Sequence, residues 1–182
     1  DFQFLKPSLI LGLFEGLRLN IPNLDGVSIF ELEKIYGGTV EKPEEHYSLA
    51  AASTTQNFGQ MKGVLEFLAS SFGLSLVFER MRPGLPWHSA KTAEVIAKKQ
   101  NKTLGFLGEI HPKVLAELKI PEPVLAFEIN FDLLESLATP TKVYRPIPKY
   151  PAQVEDLALV LPPRTLVGEL ISEIKKADKQ VA

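Results

Sequence analysis

The sequence predicts an α+β domain built on a mainly antiparallel sheet flanked by helices. Three observations carry this. Four apolar segments between residues 74 and 131 alternate with period two. Lys98 to Lys102 is a polar turn that joins two of them as a hairpin. The segments of helical period stand apart from the strands instead of alternating with them one for one, as a doubly wound sheet would require. At 182 residues, 45 % hydrophobic and 23 % charged, the chain is long enough for a moderate core and a partial second domain.

Taken in order, Ser8 to Asn20 reads as a helix, because Leu9, Leu13 and Leu17 recur four apart and Ile10 and Phe14 widen the stripe. Asn20, Pro22, Asn23, Asp25 and Gly26 form a loop. "VSIFELEKIY" (27–36) alternates as a strand ended by Gly37 and Gly38, and "HYSLAAAS" (46–53) is its expected partner. Met61, Leu65, Leu68 and Phe72 give Phe58–Phe72 a helical period that Gly73 stops. The period-two segments are 74–81, 92–100, 103–110 and 123–131; Leu125, Phe127, Ile129 and Phe131 share one face of the last. Short helices are expected at Pro112–Leu118 and Phe131–Leu137. "TPTKVYRPIPKYPA" (139–152) carries four prolines, which fix the backbone and withhold donors, so it reads as an extended connector. Beyond it, "EDLALVL" (155–161) is expected to be a strand. Thr165 is expected to cap a helix with apolar positions Leu166, Leu170, Ile171, Ile174 and Ala177. One strand and one helix are too little for an independent core.

Composition excludes several chemistries. The chain has no cysteine, so neither disulfides nor thiolate zinc sites arise, and a reducing compartment is the simpler expectation. A net charge of −2 with scattered lysines lacks the footprint of a protein that binds nucleic acid by itself. No run of about 18 apolar residues suggests a membrane span. The first twenty residues lack the basic start and the cleavage site of a signal peptide. The chain does not open on Met, and the expectation is a piece of something longer.

Candidate sites each have a plainer reading beside the chemical one. In "GFLGEIHP" (105–112), Glu109 and His111 invite acid/base or metal chemistry. Equally, Gly105 and Gly108 permit close backbone approach and Pro112 starts a helix. The strand carboxylates Glu31, Glu33, Glu109 and Glu128 could pair as acid and base, or simply line a solvated face. "NFGQMKG" (57–63), with Lys62, could hold an anion at a helix start, or just supply polar first-turn residues. Lys175, Lys176 and Lys179 suit the C-terminal end of a helix. No nucleophile elbow or phosphate-binding glycine motif occurs.

Six segments in order resemble the C-terminal half of bacterial-type phenylalanyl-tRNA synthetase beta subunits. "FLKPSLILGLFEGLRLN" (4–20) is similar to that family's Leu-Arg-Pro-Ser-Leu segment and helix, and "IFELEKIY" (29–36) to its Leu-Phe-Glu-Ile-Gly strand. "NFGQMKGVLEFL" (57–68) resembles its Asp-Phe-x-x-Leu-Lys-Gly helix start. "GFLGEIHPKV" (105–114) resembles its Gly-Glu-Leu-His-Pro turn, "PVLAFEINFDLL" (123–134) its Ala-Phe-Glu-Leu-Asp strand, and "PKYPAQVEDLALVL" (148–161) the entry of its anticodon-binding domain. There are departures: "HSAK" (88–91) stands where His-Pro-Gly-Arg is common, "VED" (154–156) where Arg-Arg-Asp is usual, and Asn57 where Asp is common.

The resemblance implies a class II aminoacyl-tRNA synthetase core-like fold over 1–138, a Pro-rich linker over 139–151, and the truncated start of a ferredoxin-like anticodon-binding domain over 152–182. It implies a non-catalytic module of a cytoplasmic heterotetramer. The partners would be a catalytic alpha subunit, a second beta subunit and, through the complex, tRNA(Phe). ATP and Mg would be used by the complex, with no cofactor, metal or catalytic residue in this fragment. Active class II cores use an Arg on the strand after the one like 28–36 and another in a Gly-rich Glu-Arg motif. Here no Arg occurs between Arg18 and Arg80 and that motif is absent, so adenylate synthesis by this chain alone is not expected. The stripe Leu9, Leu13, Phe14 and Leu17 is the expected interface, a core position being the alternative. Rival functions are a stand-alone class II synthetase-related enzyme and an RNA-binding adaptor.

Overall fold

The computed structural model describes residues 5–39, 41–139, 149, 151, 153–163 and 165–177. The chain divides into two compact units, Asp1–Val143 and Tyr144–Ala182. In the first, helix α1 (Ile10–Asn20) leads through a 3-10 turn (Ile21–Asn23) into the long hairpin of β1 (Ser28–Gly38) and β2 (Pro43–Ser53). Helix α2 (Phe58–Ser71), β3 (Leu76–Met81), β4 (Trp87–Ala97) and β5 (Lys102–Ile110) follow. Then come α3 (Pro112–Glu117), β6 (Leu125–Asn130) and α4 (Phe131–Ser136). All strand pairings are antiparallel and the order across the six-stranded sheet is β1-β2-β6-β5-β4-β3. The last strand is therefore inserted between the two hairpins, a placement that no local pattern dictates.

The two faces are covered differently. On one, α1 buries Ile10, Leu13, Phe14 and Leu17 against a core that includes Ala50, Ala52, Ala126, Trp87 and Ile110. Three alanines in β2 and β6 let the helix sit close to the sheet. On the other face, Met61, Leu65 and Ala69 of α2 and Leu134 of α4 close over Val95, Leu107, Phe127 and Ile129. Phe72 and Phe131 meet edge to face there, with centroids 5.9 Å apart.

The elements expected from periodicity are present in this unit; most boundaries move by up to about three residues, as for β2, which starts at Pro43 and not at residue 46, and one moves further. β4 begins at Trp87, not at residue 92, and its register is irregular between Trp87 and Thr92. "HSAK" has no apolar alternation, so the early part of the strand is held by the pairing of Trp87 with Ile110. The expected hairpin of β4 and β5 is present and turns at Ala97↔Lys102 with Asn101 at φ 50°, the left-handed region Asn tolerates.

In the second unit the expected strand 155–161 is not found. Those residues belong to no strand and their apolar side chains are bare: Leu157 is 72 % and Val160 103 % exposed. A strand needs a neighbour to satisfy its backbone, and none is present among the described residues. Helix α5 (Val167–Ala177) forms but buries no residue, and Thr165 donates its hydroxyl to the Pro162 carbonyl at 2.8 Å. Most of the expected connector 139–151 lies outside the described residues, as does Lys179.

Candidate functional site

Antiparallel register places the residues of one cross-strand row on a common face. On the face of the sheet that carries α1, one row reads Glu31, Ala50, Glu128, Phe106, Glu94, Glu79 from one border of the sheet to the other. Carboxylates thus occupy four of the six positions, with no cation in the row. Glu31 is ion-paired to Lys6 at 2.7 Å, and Glu94 accepts from the Thr103 hydroxyl at 2.6 Å. Glu79 and Glu94 stand directly opposite each other, an arrangement that favours neither an anion nor a phosphate on this face. Glu94 and Glu79 were not expected at the site; only strand order brings them into line with Glu31 and Glu128.

Glu128 has a structural task. Its carboxylate accepts from the Ser8 hydroxyl at 2.6 Å, the Leu9 amide at 2.8 Å and the Ser48 hydroxyl at 3.2 Å. Leu9 immediately precedes α1 and offers no side-chain cap of its own. A negative group brought 119 residues along the chain therefore satisfies the free amide at the positive end of that helix. Glu128→Ala leaves the Leu9 amide and Ser8 without this acceptor and is expected to cost about 2 kcal/mol. Glu128→Gln should cost less, since one oxygen remains. Thermal unfolding followed by circular dichroism checks this; equal melting temperatures for all three proteins would remove the clamp.

Glu109 and His111 do not act together. Glu109 pairs with Lys91 at 2.6 Å. His111 ends the strand as the cap of α3, its Nδ1 accepting from the Lys113 amide at 3.1 Å. The structure instead stacks His111 on His88, ring centroids 5.8 Å apart, and His88 Nδ1 likewise accepts the Ala90 amide at 3.1 Å. Both rings commit a nitrogen lone pair to backbone, which a metal would have to displace. Among the described residues no group of three or more His, Cys, Asp or Glu side chains is arranged to hold a metal ion. Beside Glu109 a shallow cleft of about 630 Å³ is lined by Lys91, Pro112, Leu115, Lys119 and Pro123.

The other candidates resolve locally. At the start of α2, Asn57 and Gln60 form a reciprocal capping box, at 3.0 and 2.9 Å. Lys62 turns away to Glu66 at 3.5 Å and over the Phe78 ring at 5.1 Å. Glu33 takes the Lys34 amide at 3.0 Å. The Lys34 ammonium is hydrogen-bonded by Glu45, which raises its pKa above the ordinary value. On α5, Lys176 pairs with Glu173 at 2.6 Å.

The stripe expected to face a partner lies in the core: Leu9 is 0 %, Leu13 4 %, Phe14 1 % and Leu17 0 % exposed. An amphipathic period tells that a face must be covered; here this chain's own sheet covers it. What α1 leaves outward is Leu11, 59 % exposed, and Leu19, 58 % exposed.

Residues 1–131 match the sequence model for the phenylalanyl-tRNA synthetase beta chain CLM domain. Among curated proteins, the chain is 30 % identical to the phenylalanine-tRNA ligase beta subunit of Moorella thermoacetica, over 96 % of this chain and 23 % of that protein. It is 29 % identical to that of Thermotoga maritima, over 97 % and 24 %, and 29 % identical to that of Staphylococcus aureus strain MSSA476, over 93 % and 23 %. The chain thus spans about a quarter of the length of these relatives. Among solved structures it is similar in fold to pyrrolysyl-tRNA synthetase from Desulfitobacterium hafniense. The TM-score is 0.55 at 16 % identity, covering 71 % of this chain and 48 % of that one. This likeness places the antiparallel sheet among class II synthetase folds.

Proposed function

The chain belongs to the phenylalanyl-tRNA synthetase beta chain family, and from that membership we propose that it is a non-catalytic module that supports assembly with a catalytic alpha subunit. The observation that carries this reading is the carboxylate row Glu31, Glu128, Glu94 and Glu79 on the face of the sheet that carries α1. Adenylate formation needs cations aimed at a polyphosphate. Such a face, with Glu128 committed to the start of α1 and Glu31 paired to Lys6, offers no cation in the row for a polyphosphate.

On this reading ATP and Mg serve the alpha subunit, tRNA(Phe) is engaged by the complete cytoplasmic assembly, and a second beta subunit completes a heterotetramer. No helix among the described residues is long and apolar enough to cross a membrane. The core-like module would end near residue 138, and 152–182 would begin a further, ferredoxin-like domain. The bare side chains of α5 and of 154–161 agree with a domain that needs more chain to close its core. With the leucine stripe used internally, contact with the alpha subunit would draw on outward residues such as Leu11 and Leu19.

Light scattering on a sizing column tests the reading, with the chain alone and then mixed with the alpha subunit of a near relative. A mixed species is expected, together with no ATP–pyrophosphate exchange by the chain alone. Exchange activity would establish the stand-alone enzyme instead. Steeply salt-dependent tRNA binding without the alpha subunit would favour the RNA adaptor.

A further inference from the structure

Asp25 and Gly26 lie in the irregular stretch between the 3-10 turn and β1. Nowhere else in the chain does an aspartate or asparagine precede a glycine. Asp25 is exposed, and its carboxylate enters none of the ion pairs among the described residues. The side-chain hydrogen bonds of this loop are made instead by Asn20, Asn23 and Thr54. Glycine at 26 is a demand of the fold. Its φ is 95° and a Cβ there would collide with the Thr55 methyl, so any other residue is strained. The next residue anchors β1: the Val27 amide donates to the Thr54 hydroxyl at 3.0 Å, and the Val27 carbonyl accepts the Thr54 amide at 2.9 Å.

We propose that Asp25–Gly26 is a site of spontaneous backbone modification, where aspartate converts to isoaspartate through a cyclic imide. The Gly26 nitrogen attacks the carboxyl carbon of the Asp25 side chain and a C–N bond forms. The carboxyl hydroxyl leaves with the amide proton as water, and a five-membered succinimide results. Water then opens the ring at either carbonyl. Opening at the side-chain carbonyl restores aspartate; opening at the main-chain carbonyl leaves Gly26 joined to the former side chain and turns the old main-chain carbonyl into a free carboxylate. The net charge is unchanged, and water is the one co-reactant. Attack within so short a segment gains from proximity, and a neighbour without a side chain leaves the nitrogen accessible. Substituting the glycine would remove this reactivity, but Thr55 and the positive φ hold glycine in place. The Gly26 amide donates to the Leu24 carbonyl at 2.9 Å, a contact within one turn of exposed loop that local opening releases at small cost.

This chemistry goes beyond the proposed function and needs no alpha subunit, nucleotide or RNA, so the two readings fail separately. The test incubates the whole folded chain in heavy-oxygen water at neutral pH and maps it by mass spectrometry, with electron-transfer fragmentation to tell isoaspartate from aspartate. Each passage through the imide takes one heavy oxygen from the solvent. Residue 25 is therefore expected to gain label and isoaspartate together. Asp132 and Asp156, both followed by leucine, should gain at least about tenfold less. Asp25→Glu keeps the fold at this exposed position, yet it requires a six-membered ring and should convert at least about tenfold more slowly. Asp25→Asn should reach the same imide faster, releasing ammonia in place of water. An isoaspartyl methyltransferase with S-adenosylmethionine gives a second readout: methyl transfer to the aged chain and not to its Asp25→Glu variant. The aged chain should also melt lower, because the new linkage adds one backbone carbon immediately ahead of the Val27–Thr54 anchor. No heavy oxygen at residue 25 of the folded chain, over a time in which the urea-unfolded chain converts, would overturn the proposal. Equal labelling at residues 25, 132 and 156 would do the same.

Discussion

Gly105→Ala is expected to destabilise the first unit by about 3 kcal/mol or more, a large part of the 5–15 kcal/mol that holds a domain folded. Gly105 lies in β5 beside Ile129 of β6. A Cβ there would fall 2.0 Å from the Glu128 carbonyl oxygen and 2.8 Å from the Ile129 Cα. Both are backbone atoms of the neighbouring strand, so no rotamer change relieves the clash. The strand that would be pushed is the one carrying Glu128, and the α1 clamp would loosen with it. Gly63→Ala is the control of opposite sign. Gly63 is an exposed helix position with open space around a Cβ, and alanine should gain about 0.5–1 kcal/mol there. Urea unfolding of both variants checks the pair, and similar midpoints would show that the close approach of β5 and β6 is not needed.

Phe14→Ala is expected to cost about 3–5 kcal/mol, because a ring 1 % exposed leaves a cavity between α1 and the sheet. Phe30→Ala, at a ring 76 % exposed, should change the stability of the monomer by no more than about 0.5 kcal/mol. The comparison separates core from surface for two phenylalanines that both fall on regular apolar periods. Denaturant titration at low protein concentration makes the measurement. Comparable losses for both rings would mean that β1 is covered within the monomer.

The fold of the first unit was largely legible because its helices and strands each carry a strong local period. Ser8–Asn20 and Phe58–Phe72 hold apolar residues at helical spacing, and 103–110 and 123–131 alternate, so burial of one face dictates each element before any tertiary contact forms. Where local pattern was absent the reading fell short. "HSAK" gave no sign that β4 starts at Trp87, which is set by pairing with β5. "EDLALVL" has the alternation of a strand, yet none of the described residues gives it a strand to pair with.

The site was less legible than the fold, for a physical reason. Sequence identified Glu31, Glu109, Glu128 and His111 as groups with chemical capacity but not their partners. Glu128 meets Ser8 across 120 residues, and His111 meets His88 through the pairing of β4 with β5. The family assignment survived these gaps because it rested on the order of six segments along the chain, a linear property. What the sequence by itself determined is therefore the set of elements, their faces and the family, all of which follow from local spacing and order. Strand order was decided by tertiary structure alone: inserting β6 between β2 and β5 aligned four carboxylates in one row and brought Glu128 to the start of α1. It likewise decided that the Leu9, Leu13, Phe14 and Leu17 stripe is core, because amphipathicity records the need for a covering surface and only three-dimensional packing says which surface supplies it.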